Sequence, residues 1–319
     1  MKDPTSFIPK EPETQEVKWE NSDWTGIQMK KGTEDAQQEE VIILNTKKPR
    51  FQVLSPEALA IVKEKCQQAI KNNQLSVLPA DAEVQQAFDT LRADYLNEEL
   101  PLPERAITNI TITDDEFRES SKIITDKILQ LICAEDRAEN LIGLYIWRAG
   151  IVPFMASCID AGIQKHEHIG MNRVENNPTQ QEIYLPLTVD AKILSKNSKI
   201  LLADPMFATW WSLINVIAQL LQEGIKEEQI ILATVISAPE WVAKILDKYP
   251  DIKIYTGSLD DHLNEDAFIQ DWLGDFGDKG TANITEEYFD KLRPYLTEEN
   301  YQKMLEKFKA IPRKKQEIS

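Results

Sequence analysis

The feature that most constrains this chain is an alternation in its centre between short apolar runs of strand length and stretches with helical periodicity. The runs are Leu141 to Trp147, His168 to Met171, Lys199 to Ala203, Gln229 to Ile236 and Ile252 to Tyr255. Helix-like stretches lie at Pro153 to Ala161, Ser212 to Glu223 and Pro239 to Tyr249. Strands that alternate with helices pair in parallel, so the spacing predicts an α/β fold with a doubly wound, mainly parallel sheet.

This core opens near Thr113, where Thr113-Asp114-Asp115-Glu116 reads as a capping box. The helix that follows turns Phe117, Ile124, Ile128 and Leu131 inward. Upstream, Ser55-Pro56 supplies an N-cap and a first-turn proline, and Leu59, Val62, Cys66 and Ile70 recur at helical spacing. A second pattern between residues 80 and 96 puts Val84, Phe88, Leu91 and Tyr95 on one face, and Pro101 and Pro103 end the helical region. Residues 51–109 therefore read as a helical appendage to a domain at 110–283, and residues 284–319 as a helical C-terminal extension that ends in the basic run Pro312 to Lys315. Residues 1–50 have no sustained periodicity and read as a flexible or extended tail. The tail holds Trp19, Trp24 and the run Val41 to Leu44, which suits either docking on a partner or folding back over the domain's own groove.

A formal net charge of −17 argues against a general nucleic-acid surface, since phosphate polyanions are repelled. No stretch reaches the ~18 apolar residues that a membrane span needs. The N-terminal residues lack the apolar core of a secretory signal and are too acidic for a transit peptide, so a cytoplasmic location is expected. Cys66, Cys133 and Cys158 sit in apolar, helix-like contexts and are expected to be small core residues. His166, His168 and His262 show no metal spacing and are expected at the surface. No metal site is expected.

Ligands of open α/β sheets bind at the carboxyl ends of the strands. After the first run comes Arg148-Ala149-Gly150, a guanidinium with two small neighbours that suits an oxyanion, or alternatively a structural ion pair. After the third comes Asp204-Pro205-Met206-Phe207-Ala208-Thr209-Trp210-Trp211-Ser212, an acid and a short loop opening a helix. A carboxylate there can take sugar hydroxyls, while backbone N–H groups and the helix N-terminus take a phosphate. The segment Phe268 to Lys279 holds Asp275 between glycine-bearing turns at Gly274 and Gly277, which allow main-chain groups to approach a flat polar ring.

Taken in order, these segments resemble the uracil phosphoribosyltransferases. That family's pattern runs I-L-R-A-G, an arginine beyond the next strand, D-P-M-L-A-T-G-G-S, and Y-I-V-P-G-L-G-D-A-G-D-R. Here the counterparts are Tyr145 to Gly150, Gly170-Met171-Asn172-Arg173, Asp204 to Ser212, and Phe268 to Lys279, with Ser237 to Glu240 and Tyr255 to Glu265 also similar. The resemblance implies the type I phosphoribosyltransferase fold and a reaction of uracil with 5-phosphoribosyl-1-pyrophosphate (PRPP) that gives UMP and pyrophosphate. It implies that Arg148, Arg173 and Asp275 meet PRPP, that Asp204 holds the ribose hydroxyls, and that Ala208, Thr209 and Ser212 help cradle the 5′-phosphate. It implies that Ile269, Gly274, Asp275 and Phe276 read the uracil edge. It also implies a homodimer, with no cofactor and a magnesium ion only alongside bound PRPP.

This chain departs from the pattern where the family has two glycines, because it has Trp210 and Trp211. A phosphate loop needs close backbone approach, and an indole can fill such a cradle. If those positions require positive φ, each tryptophan also carries strain of roughly 1–3 kcal/mol. Asp271-Trp272, Phe276 and Lys279 replace Pro-Gly, alanine and arginine in the base loop, with Phe276 expected to crowd the base. The expectation is a family member impaired in transfer, acting as a binding, regulatory or assembly module, with a protein partner met through the N-terminal tail or C-terminal extension. The alternative is an active transferase.

Overall fold

The computed structural model describes residues 54–99, 112–147, 149–174, 177–185, 197–207 and 210–263, with single positions and short stretches between 269 and 306. Its centre is one sheet built from β1 (Leu75–Val77), β2 (Leu141–Trp147), β3 (Lys165–Val174), β4 (Asn177–Leu185), β5 (Lys199–Ala203), β6 (Met206–Phe207), β7 (Ile230–Ser237) and β8 (Lys253–Leu259). The order across the sheet is β1-β8-β7-β5-β2-β3-β4, and β6 pairs with the far end of β7. Every pairing is parallel except β3 with β4.

Both faces of the sheet are covered, which is why its central strands are apolar without alternation. In register across one face lie Leu144, Leu202, Leu232 and Ile254. They pack beneath α1 (Pro56–Lys71), α5 (Trp210–Gln222) and α6 (Pro239–Lys248) through Cys66, Ile217 and Val242, among others. On the opposite face Tyr145, Ala203, Ala233 and Tyr255 form a second row, small residues between two large ones. Here α2 (Ala82–Glu99), α3 (Asp114–Glu135) and α4 (Ala156–Asp160), the last led by a π turn at Ile151–Met155, supply the cover through Phe88, Phe117, Ile124 and Phe154. The fold is doubly wound α/β.

Local chemistry sets the helix ends. The Ser55 hydroxyl accepts from the Ala58 N–H with Pro56 in the first turn, and Asn73, at φ 58, turns the chain out of α1 in a left-handed conformation. Thr113 and Glu116 form the reciprocal capping box at the start of α3.

Several expectations change. The run near His168 to Met171 extends into a ten-residue strand, so Arg173 lies within β3 rather than beyond it. Between the two helices of segment 51–109 lies β1, which pairs with β8 at the sheet edge, while α1 and α2 cover opposite faces. Ile70 is exposed, and Ala69 takes the buried position instead. Tyr95 is in α2, but its side chain lies outside the described residues. Residues 1–53 and the basic run Pro312 to Lys315 also lie outside them. Cys66 and Cys158 are buried and Cys133 is half-buried, all three as free thiols.

The histidine expectation is overturned for two of three. His166 and His168 are buried, because both face the α3 side of β3 in register with Gly143 and Tyr145 of β2. Only His262, with an exposed partner in Asp261, sits nearer the surface. In the C-terminal extension, Tyr301 enters the same core as Phe117 and donates to Asp290 at 2.6 Å. No helix among the described residues is long and apolar enough to cross a membrane.

Candidate functional site

The site region is built from the carboxyl ends of β2, β5, β7 and β8. Trp147 and Ala203, which precede Arg148 and Asp204 in the chain, end neighbouring parallel strands. The turn after β2 is pressed against β5: a Cβ at Gly150 would lie 2.5 Å from the Ala203 carbonyl oxygen. Only glycine fits there, so the small residues of Arg148-Ala149-Gly150 serve close approach of two backbones.

Asp204 follows the last residue of β5 and is half-buried. Its backbone N–H donates to the Ala233 carbonyl at 3.2 Å, and its carboxylate accepts from the Met206 N–H at 3.2 Å. The next residue is fastened to β7: the Pro205 carbonyl accepts from the N–H groups of Val235 and Ile236 and from the Thr234 hydroxyl at 3.0 Å. Burial pushes the Asp204 carboxyl up to about 7, with the Met206 N–H acting in the opposite direction. This carboxylate is held in place by the Met206 N–H at the end of β5. Among the described residues no group of three His, Cys, Asp or Glu side chains is arranged to hold a metal ion.

Helix α5 begins at Trp210, so Trp210 and Trp211 occupy its first turn. Their backbone is helical, with negative φ, and the conditional strain expected for them does not arise. Their side chains and that of Ser212 lie outside the described residues, as do Ala208 and Thr209 altogether. Arg148, Gly274 and Asp275 also lie outside them, and Arg173 is described only through its place in β3, level with Gln181 of β4.

Two residues expected to meet the base are in the hydrophobic core. Ile269 is fully buried and pairs with Leu263 in an isolated antiparallel bridge. Phe276 is fully buried, its ring edge-on to Phe117 of α3 with centroids 4.9 Å apart. The ring expected to crowd the base is thus packed against α3.

Sequence reading missed a buried polar group beside this region. Glu240, in the first turn of α6, is 3% exposed and accepts from the Leu263 N–H at 2.9 Å. Lys244 follows one turn later, also buried, its ammonium 5.0 Å from the centre of the Trp241 ring. Desolvation lowers Lys244 to about 6 and raises Glu240. The i, i+4 spacing of Glu240 and Lys244 was a visible signal, but it normally marks a solvated face.

Open, doubly wound α/β sheets bind ligands at the carboxyl edge of their strands, and Asp204 and the N-terminus of α5 lie at that edge here. The sequence model of the uracil phosphoribosyltransferase family matches residues 106–280, and this chain belongs to that family. It is 36% identical over 145 residues to the uracil phosphoribosyltransferase of Dictyostelium discoideum, covering 44% of this chain and 63% of that protein. It is 34% identical over 176 residues to that of Agathobacter rectalis, covering 54% of this chain and 77% of that protein. The matched part thus spans just under two thirds of the first relative's length. The AQ2163 protein of Aquifex aeolicus shares the fold, with a TM-score of 0.51 at 19% identity over 64% of this chain and 96% of that one.

Proposed function

We propose that this chain is a family member in which phosphoribosyl transfer is lost or nearly lost, and that it acts as a binding, regulatory or assembly module. The observation that carries this reading is the position of Trp210 and Trp211 in the first turn of α5. The first N–H groups of a helix have no partner within it and are what a 5′-phosphate would use. Glycine at these two positions would let a backbone approach a phosphate closely, and tryptophan brings the largest apolar side chain to them instead.

The two positions differ in register. Trp210 lies three and four residues before Leu213 and Ile214, which are buried, whereas Trp211 is offset from it by about 100° around the helix. The Phe276 ring packs against Phe117, so the reading rests on the phosphate side. In this proposal the protein is a cytoplasmic homodimer without a cofactor, binds magnesium only with PRPP, and meets any partner through its N-terminal or C-terminal segment.

The test is PRPP-dependent conversion of uracil to UMP, measured for the unchanged protein beside a Trp210→Gly, Trp211→Gly variant. The expected result is no turnover by the unchanged protein and regained PRPP binding by the variant. Robust turnover by the unchanged protein overturns the proposal and makes it a working transferase that releases pyrophosphate.

A further inference from the structure

The ends of β7 and β8 lie side by side: the Asp260 N–H donates to the Ser237 carbonyl at 2.9 Å. From Asp260 the chain runs to Leu263, which bridges to Ile269 at the head of the segment that family resemblance assigns to the base. The Leu263 N–H donates to Glu240 Oε1, which ties this turn to α6. The other carboxylate oxygen, Oε2, is buried and has no hydrogen-bond partner among the described residues. One buried carboxylate therefore ties the first turn of α6 to a main-chain donor beyond β8.

A carboxylate is costly to bury, and only its donors offset that cost. Its place in the first turn of α6 helps, because the helix N-terminus favours negative charge. Helix α1, outside the family-matched region, packs on α6: the Cys66 thiol donates to the Pro239 carbonyl at 3.5 Å, and Ala58 and Val62 pack with Ala243. An apolar side chain at position 240 would fill this covered space at lower desolvation cost, but it would leave the Leu263 N–H without its acceptor.

We propose that Glu240 is a positioning residue that fixes the turn from β8 into the base-side segment. Its functional meaning rests on the base-side reading of residues 269–276; the tie itself does not.

The experiment uses the full chain with Glu240→Leu and Glu240→Gln, following amide hydrogen exchange and uracil binding by calorimetry. In the Leu variant the Leu263 amide is expected to exchange about tenfold or more faster, while Ile231 to Val235 of β7 keep their protection. The Gln variant retains an acceptor and stays close to the unchanged protein. Unchanged exchange at Leu263 in the Leu variant overturns the proposal, as does equal acceleration in β7, which would mark a general loss of stability. If uracil binds, the Leu variant weakens it and the Gln variant spares it. If uracil binds to none of the three, the base-side reading fails while exchange still decides the tie.

Discussion

The Tyr145 hydroxyl on β2 donates to Nδ1 of His166 on β3 at 2.7 Å, inside the core. The opposite ring nitrogen, Nε2, lies 3.0 Å from the Ile163 carbonyl and donates to it, so in the neutral ring Nδ1 is the acceptor. Burial lowers the His166 pKa, in keeping with that neutral form. Gly143 belongs to the same arrangement, because a Cβ there would lie 2.2 Å from the Tyr145 hydroxyl oxygen.

Tyr145→Phe leaves Nδ1 of His166 without its donor and is expected to cost about 1–3 kcal/mol in urea unfolding. Gly143→Ala overpacks the same spot and should cost about 1–3 kcal/mol. The double variant should lose less than the sum, since removing the hydroxyl relieves part of the clash. Additive losses would show that the two residues do not share this space.

Acid should weaken the fold through His168. Its ring is fully buried, neither nitrogen has a hydrogen-bond partner among the described residues, and burial lowers its pKa to about 3. Between about 3 and the ordinary 6.5 the unfolded chain binds the proton and the folded chain does not. Stability is therefore lost as pH falls through this window, at up to about 1.4 kcal/mol per pH unit. His168→Leu should flatten that slope in denaturant titrations at successive pH values.

Asp204 acts with the opposite sign. Its folded value of about 7 lies above the ordinary 3.8, so the folded chain holds a proton that the unfolded chain has released. Its contribution falls as pH rises from about 4 to about 7. Asp204→Asn is expected to remove this part of the pH dependence and to stabilise the protein at pH 7 relative to the unchanged chain. A melting curve that stays as pH-dependent in the variant would show that Asp204 is ionised in the empty site.

Phe276→Ala should cost about 3–5 kcal/mol, the range for a large ring removed from a packed core. Phe117→Ala should cost a similar amount, and the pair should couple through the edge-on contact. A loss below about 1 kcal/mol at Phe276 would show that this segment folds apart from α3.

The layout of the core is legible in the order of residues alone. The strands Leu141–Trp147 and Lys199–Ala203 match their apolar runs residue for residue, and α6 differs from its periodic stretch by one residue. The capping box at Thr113 was equally visible, as was the order of motifs that marks the family. These features are local, since periodicity, caps and strand-end motifs are written within a few consecutive residues. Tertiary structure decided what depends on distant neighbours. The three residues of β1 are a strand only because β8 offers them an edge, and β4 exists as the antiparallel partner of β3. His166 and His168 are buried because the parallel register sets them level with Gly143 and Tyr145. Glu240 is buried because an amide 23 residues onward reaches its carboxylate. Whether a polar side chain is buried depends on the donors and acceptors that other elements bring to it, and only the assembled sheet and helices fix those.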